Sequence, residues 1–469
     1  MYSHRIVFIE PPVSLEEMYG ELAKVGAVSP PLNLLLLAAI VRVKGYEPHI
    51  FDSPALGLSD KDIMNRLQAI QAKFVGITAM TPHIMQAGRL ARLIKKEFPE
   101  TVTLLGGAHI SSTPEETMQR FPEFDIGFIG EADCSLPELL DALNRGDAAS
   151  SVQGTISRRN GKLINTGQRT EKINLDTLPL YAWDILEGFP HMYKAPLFAT
   201  HRTPATAILT SRGCPSKCNF CYSGCHIAIS TYSAEYVIEM LIHLRKNYGI
   251  KEFMLYDDNF VMFRQNLKKF LAALIDKKLD FTWSCNARID MVNEEMLHLM
   301  AQGGCWQISY GIETGNQRIM NLIGKNITKE KVRETLRLTR KAGIRTVGYF
   351  MIGHFEETQK TINETIEFAC AADLDDFRMS FFTPLPGTKA YSAADQYGDF
   401  DNDWGKMNLF SPVFIPKGLT REQLIYNQKK AIRKFFMRPQ AIWSYLRMVR
   451  NPTIAVRGAY QLAKYCFQG

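Results

Sequence analysis

The chain is expected to be an α/β protein, with an N-terminal doubly wound sheet, then a partial barrel of six strand–helix repeats, then a helical C-terminal extension. Three observations predict this. Strand-like and helix-like runs alternate from residue 5 to about 145 and again from 205 to about 385, the rhythm of parallel βαβ units. The second block opens on Cys214-Pro-Ser-Lys-Cys218-Asn-Phe-Cys221, three thiols on a turn that leaves a strand end. A length of 469 residues at 46% hydrophobic supports about three domains of roughly 150 residues each. The expected divisions are 1–150, a linker over 151–204, the barrel over 205–390 and the extension over 391–469.

In the first block, Arg5-Ile-Val-Phe-Ile9 is a short apolar strand stopped by Pro11-Pro12. Leu32 to Lys44 reads as a buried helix, followed by strands at His49–Phe51, Phe74–Thr78, Val102–Leu105 and Ile126–Ile129, with a helix through Met85 to Glu97. In such a sheet ligands sit beyond the carboxyl ends of the strands. The loops there are Ser29-Pro30-Pro31, Thr78-Ala-Met-Thr81-Pro82, Gly106-Gly107-Ala-His109-Ile-Ser111 and Gly130-Glu131. Paired glycines after a strand let backbone approach a bulky ligand.

Between the blocks, Gly154 to Gln168 reads as a hairpin around Asn160-Gly161, and Leu178 to Thr203 as a crossover. The second block then gives strands at Ala207–Leu209, Phe253–Tyr256, Thr282–Asn286, Trp306–Gly311, Thr346–Ile352 and Arg378–Phe382. A parallel barrel carries its active site on the C-terminal rim. Asp257-Asp258-Asn259, Arg288, Glu313 and Glu357 follow those strands and are therefore candidates.

Three thiolates spaced four and three residues apart suit three corners of one cubane iron–sulfur cluster and leave a fourth iron without a protein ligand. The alternatives are three buried cysteines acting as small hydrophobes, or a zinc site. The spacing, with the strand Ala207–Leu209 and the turn Thr210–Gly213 before it, resembles the radical S-adenosylmethionine (SAM) enzymes. That resemblance implies a 4Fe–4S cluster on Cys214, Cys218 and Cys221, whose open iron chelates SAM, and SAM contacts at Phe220, Asp257, Asp258, Asn259, Arg288, Glu313 and Glu357. Tyr310-Gly-Ile-Glu313-Thr-Gly with Lys325-x-x-Thr328 resembles the family's fourth-strand segment. Phe350-Met-Ile-Gly353 with Glu357-Thr358 resembles its fifth, with His354-Phe-Glu356 where Leu-Pro-Gly is usual.

The N-terminal loops resemble the Rossmann-like cobalamin-binding domain that precedes the TIM-type radical SAM barrel in one large class of these enzymes. The implied cobalamin contacts are Pro30, Pro31, Thr78, Thr81, Pro82, Gly106, Gly107, His109, Ser111, Gly130 and Glu131. Two departures stand out. Glu10-Pro-Pro-Val-Ser14 replaces the Asp-x-His-x-x-Gly whose histidine ligates cobalt in mutases, and Gly130-Glu-Ala-Asp133 replaces Gly-Glu-Gly-Glu. A sheet with Gly-Gly and Pro turns that binds nothing is the alternative.

The family resembled includes methylases and the anaerobic magnesium-protoporphyrin ester cyclase. It implies cleavage of SAM to a 5′-deoxyadenosyl radical and methylation of an unactivated carbon of a bulky small molecule through methylcobalamin. Ring closure, ring rearrangement or oxygen insertion without methyl transfer is the second expectation, and a cluster-bearing sensor without turnover the third. With only Cys134 in the first block, a second three-cysteine cluster is excluded there, which disfavours a methylthiotransferase. An electron donor such as flavodoxin or ferredoxin is implied, and oxygen sensitivity with it.

Nine cysteines, three of them grouped, argue for a reducing compartment rather than a disulfide framework. No apolar run approaches the ~18 residues that span a bilayer, and Met1-Tyr-Ser-His-Arg leads straight into a strand pattern, so a cytoplasmic protein is expected. No nucleic-acid partner is expected. The net charge of +7 is uneven: from Arg421 to Gly469 ten Lys or Arg stand against Glu422 alone, interleaved with Phe435, Phe436, Trp443 and Tyr445. One reading is a basic helix whose apolar side packs on the barrel. The other is peripheral contact with an anionic inner-membrane surface, where a lipid or tetrapyrrole substrate is presented. Cys225, Cys285, Cys305 and Cys370 fall outside the triad and read as core or unassigned, with Cys225 close to the motif.

Overall fold

A computed structural model describes residues 2–19, 26–193, 199–222, 224 and 228–448. The first block forms β1 Tyr2–Glu10, β2 Glu47–Asp52, β3 Ala72–Thr78, β4 Val102–Gly106, β5 Ile126–Phe128, β6 Thr155–Arg159 and β7 Lys162–Asn165, in one sheet of order β2-β1-β3-β4-β5-β6-β7. The first five strands are parallel; β6 and β7 are the hairpin read from Asn160-Gly161, and they continue this sheet antiparallel from β5. Residues of β3 from Phe74 to Thr78 are all buried, as strands covered by helices on both faces require. Helix Leu32–Val43, with Leu34, Leu35, Ala38 and Val41 buried, covers one face and helix Ile84–Glu97 the other.

The second block gives β8 Ala205–Ile208, the short antiparallel pair β9 Ser211–Arg212 and β10 Ser230–Thr231, then β11 Glu252–Leu255, β12 Thr282–Ala287, β13 Cys305–Glu313, β14 Arg345–Ile352 and β15 Asp376–Phe381. The order β15-β14-β13-β12-β11-β8 is parallel throughout and left open between β15 and β8, a partial barrel of six strands. Helix Ala234–Tyr248 follows β10, with Ser233 accepting from the Tyr236 backbone at its start and Gly249 left-handed at its end.

The expected start of the extension at 391 falls inside helix Lys389–Tyr397, which is followed by a hairpin, β16 Gly398–Phe400 and β17 Phe414–Pro416, and by helices Arg421–Phe436 and Pro439–Met448. The polar run Asp399–Asp403 gave no periodicity from which to read it. Between its strands Trp404 enters the core of the first sheet, 1% exposed, edge-on to His109 at 4.4 Å and beneath Arg120 at 4.7 Å. The extension thus straps the barrel to the N-terminal sheet. Trp404→Ala is expected to cost about 3–5 kcal/mol, read as an earlier thermal transition of the N-terminal sheet. Helix Arg421–Phe436 packs on β15 through Phe435 on Phe377 at 4.9 Å, and Tyr445 lies 5.2 Å over Arg345. Packing on the barrel, the first of the two readings of this helix, is what its described part does. No helix among the described residues is long and apolar enough to cross a membrane.

Candidate functional site

The three-cysteine loop leaves β9 and is held from below by consecutive carboxylates after β11. Asp257, 1% exposed, accepts from Thr210 N at 2.7 Å, Thr210 Oγ1 at 2.6 Å and Ser211 Oγ at 2.6 Å. Asp258 accepts from Gly213 N at 3.1 Å. On the other side Asn219, inside the motif, donates from its backbone to Ile323 O and from Nδ2 to Leu322 O at 3.1 and 3.2 Å, and its carbonyl accepts from Ala390 N at 2.9 Å. Arg288 Nη1 lies 3.8 Å from Cys218 Sγ, with Nη2 on Lys325 O at 3.0 Å and the same guanidinium paired to Asp290. Phe220 packs toward the small cluster of Phe355, Phe382 and Phe414.

Burial pushes the Asp257 carboxyl up to about 6, against the three donors that favour its charge. An acid raised in the folded state stabilises fully below its ordinary value of 3.8, and that contribution is lost as pH rises through about 6. The fold is therefore expected to lose stability over that window, and Asp257→Asn to flatten it in thermal unfolding recorded from pH 4 to 7.

Above the loop, Glu313 closes β13 with a backbone φ of +72°, a left-handed conformation costly for a residue with a Cβ. It is held there by a buried ion pair, Lys325 Nζ to Glu313 Oε1 at 2.8 Å. A Cβ on Gly311 would meet that Oε1 at 2.4 Å, which is why glycine precedes this glutamate by two. Glu357 turns inward: its Oε2 accepts from Gly353 N at 2.5 Å and His354 N at 3.0 Å, and burial raises it to about 7. Thr328 and Thr358 are helix N-caps, accepting from Lys331 N and Thr361 N. Asn259, 0% exposed, donates to Met291 Sδ at 2.9 Å. Cys218, Asp258, Arg288, Glu313 and Lys325 thus stand together; Asn259 and Glu357 are committed to holding loops.

The donor set fits a cluster. The three thiols are free of disulfides, and loss of hydration, then the charges of Cys218, Asp258 and Cys214, push Cys221 up to about 11. Among the described residues no three His, Cys, Asp or Glu side chains converge on one ion, whereas a cubane spreads its three thiolates over separate corners. Cys285 and Cys305 are buried in the barrel wall, as core residues are, and Cys370 is only half-buried; Cys225 lies outside the described residues.

A cavity of about 410 Å³ lies between the two sheets, lined below by Phe8, Leu36, Leu104 and Phe128 and at its mouth by Ser111, Glu131, Arg212 and Asp258. Thr78, Gly106, Gly107 and Gly130 also face it. Ser111 stitches two of these loops, donating to Gly107 O and accepting from Gly130 N, each at 3.0 Å. A Cβ on Gly106 would meet no protein atom within 4 Å, so its backbone is bare toward the cavity, a surface suited to a flat macrocycle or its tail. Pro30, Pro31, Thr81, Pro82 and His109 do not line the cavity. Pro30 and Pro31 enter helix Leu32–Val43, and His109, 0% exposed, has Nδ1 3.1 Å from Thr81 Oγ1, with burial and Arg120 lowering it to about 4. Arg212, two residues before Cys214, pairs with Asp133 and with Glu131 (3.4 Å), tying the two loops that depart from each other in sequence by eighty residues. Arg212, Asn219 and Trp404 were not legible as site residues, because their partners are remote in sequence.

Fold and site together define an enzyme that carries an iron–sulfur loop at a barrel mouth and a second cofactor sheet above it. Residues 208–369 match the radical SAM superfamily model and residues 21–140 the B12 binding domain model. An uncharacterized methyltransferase of Pyrococcus horikoshii is 32% identical over 89% of this chain and 90% of its own length. The anaerobic magnesium-protoporphyrin IX monomethyl ester cyclase of Rubrivivax gelatinosus is 26% identical over 92% of this chain and 77% of its own length. Among solved structures, the radical SAM methyltransferase TsrM of Kitasatospora setae superposes with a TM-score of 0.73 at 15% identity, covering 99% of this chain and 97% of that one. The cobalamin-dependent radical SAM enzyme OxsB gives 0.75 at 16% identity, covering 99% and 72%. The chain belongs to the cobalamin-binding radical SAM family, whose cofactors are a 4Fe–4S cluster, SAM and cobalamin.

Proposed function

We propose that this enzyme methylates an unactivated carbon of a bulky small molecule bound between the barrel mouth and the N-terminal sheet. The observation that carries it is the shared cavity: Gly106 and Gly130 from one sheet and Arg212 and Asp258 from the other line a single space, with Arg212 two residues before Cys214. The chemistry the bound groups supply is reductive cleavage of SAM to a 5′-deoxyadenosyl radical and delivery of a methyl group. What this chain supplies is placement. Cys214, Cys218 and Cys221 hold the cluster, Asp257 and Asn219 fix the loop that carries them, and Arg288 offsets thiolate charge at Cys218. Asp258, Glu313 and Lys325 offer charges for the amine and carboxylate of SAM, and Phe220 an apolar wall. Thr78, Gly106, Gly107, Ser111, Gly130 and Glu131 form the cobalamin cradle. Divisions at 1–150, 151–204, 205–390 and 391–469 belong to the same reading, with the hairpin of the linker serving the first sheet.

Because the reacting centres must be held within a few ångströms and away from water, the strap through Trp404 and the Arg212 pairings serve the reaction by fixing the gap. Ring closure without methyl transfer is the second reading, favoured by the cyclase relative that spans 92% of this chain. Anaerobic reconstitution with iron, sulfide and cobalamin, followed by assay of 5′-deoxyadenosine and S-adenosylhomocysteine, separates them. Methylation yields both nucleosides and a product one carbon heavier; ring closure yields 5′-deoxyadenosine and no S-adenosylhomocysteine; absence of 5′-deoxyadenosine overturns both. A flavodoxin or ferredoxin as reductant, a cytoplasmic location and a lipid or tetrapyrrole substrate complete the proposal. Peripheral membrane contact rests on exposed Ile442 and Trp443 beside the basic residues, and deletion of Ile442–Gly469 that leaves vesicle association unchanged removes it.

A further inference from the structure

Strand alternation assigns the faces of β15. Phe377 stacks on the outer helix Arg421–Phe436, so Phe377 and Met379 face outward and Asp376, Arg378 and Ser380 face the barrel lumen. Tyr349 is the register partner of Arg378 on β14, its ring centre 5.8 Å from the guanidinium carbon. Tyr256, just beyond β11 and four strands away across the lumen, acts electrostatically on the same arginine, and its hydroxyl lies 3.0 Å from Ser29 Oγ of the N-terminal domain. The lumen at this level is thus ringed by Arg378, Tyr349 and Tyr256 and roofed by the Ser29 loop.

The floor below is closed. Arg345 donates to Gln307 Oε1 at 2.5 Å, lies 3.6 Å from Asp376 and is covered by Tyr445. Asp376, the carboxylate on the same face as Arg378, is engaged there and also accepts from Phe377 N at 2.7 Å. Arg378 itself is exposed to the lumen and forms no hydrogen bond or ion pair among the described residues. Its position three residues before the strand end at Phe381 sets it about 10 Å below the rim that carries the cysteine loop.

We infer that Arg378, flanked by Tyr349 and Tyr256, is the specificity-determining residue that binds an oxyanion of the substrate, a carboxylate or a phosphate. A planar five-donor fork matches both groups bidentately, and stacking on a tyrosine aims it without consuming its donors. The substrate is then anchored by its anionic end deep in the lumen, and the carbon that reacts is the one that this anchor leaves at the rim. The inference rests on the proposed function only in placing substrate in the barrel.

The test is binding to the anaerobic holoenzyme by calorimetry, with inorganic phosphate and benzoate as the anionic probes and benzyl alcohol as the neutral one. Wild type is expected to bind an anion and not the alcohol, and preference for phosphate or benzoate tells which oxyanion the site takes. Arg378→Met should weaken the anion roughly tenfold or more, and Arg378→Lys, which keeps the charge without the fork, by less. Retained cluster absorbance and SAM affinity in these variants show that the barrel is intact. Wild type that binds neither anion, or Arg378→Met that binds them as wild type does, overturns the inference, and a variant that loses SAM affinity instead assigns Arg378 to SAM. Failure of methylation with anion binding intact sinks the proposed function alone.

Discussion

Serine at any one of Cys214, Cys218 or Cys221 is expected to reduce 5′-deoxyadenosine release roughly 10³-fold or more, and to strip iron and sulfide from the purified protein. The size of the effect follows from the donor set. A cubane with one open iron has three protein ligands, and the two further thiols of the barrel strands, Cys285 and Cys305, are buried in its wall. The neutral hydroxyl of serine is a poor replacement for a thiolate. Acting as one unit, the three cysteines should show gross non-additivity, with the triple variant hardly worse than a single one. Cys285→Ser supplies the contrast, costing stability through a polar group in an apolar wall while iron loading persists. Cys225→Ser asks the same of the cysteine nearest in sequence. Unchanged iron content in the triple variant would remove the foundation of the functional reading.

The fold was legible because parallel strands are short, apolar and regularly punctuated. Each of the six barrel strands could be read from alternation alone, and the cysteine spacing pointed to a cluster on the loop after β9. Individual contacts were less legible. Of the carboxylates expected to grip SAM, Asp257 faces downward to bind Thr210 and Ser211, and Glu357 folds back on Gly353. Sequence gives a residue's place at a strand end but not which way its side chain turns, and a buried carboxylate turns toward backbone donors when they are within reach. His109 illustrates the same limit: a loop histidine beside paired glycines invites a ligand role, yet its ring is sealed against Trp404, nearly three hundred residues later. The Arg212 pairing with Glu131 and Asp133 was invisible for the same reason, and it gives a partner to Asp133, which stands in the loop that departs from Gly-Glu-Gly-Glu.

Adjacent glycines at 106 and 107 allow binding and folding to be separated. Gly106→Leu is expected to leave the thermal transition within about 0.5 kcal/mol of the parent, because a Cβ there meets no protein atom within 4 Å. The added side chain fills the cavity that Gly106 lines, so cobalamin retained after gel filtration should fall by roughly a hundredfold in affinity, ~2.7 kcal/mol. Gly107→Ala should do the reverse. Its φ of +105° is open to glycine, and a Cβ would stand 2.5 Å from Ala79 O, the carbonyl that accepts from His109 N at 3.3 Å. Backbone must shift to admit it, at a cost of about 1–3 kcal/mol, and cobalamin binding should suffer only in proportion. If Gly106→Leu holds cobalamin as tightly as the parent, the ligand does not lie on this loop, and the cavity between the sheets belongs to something else.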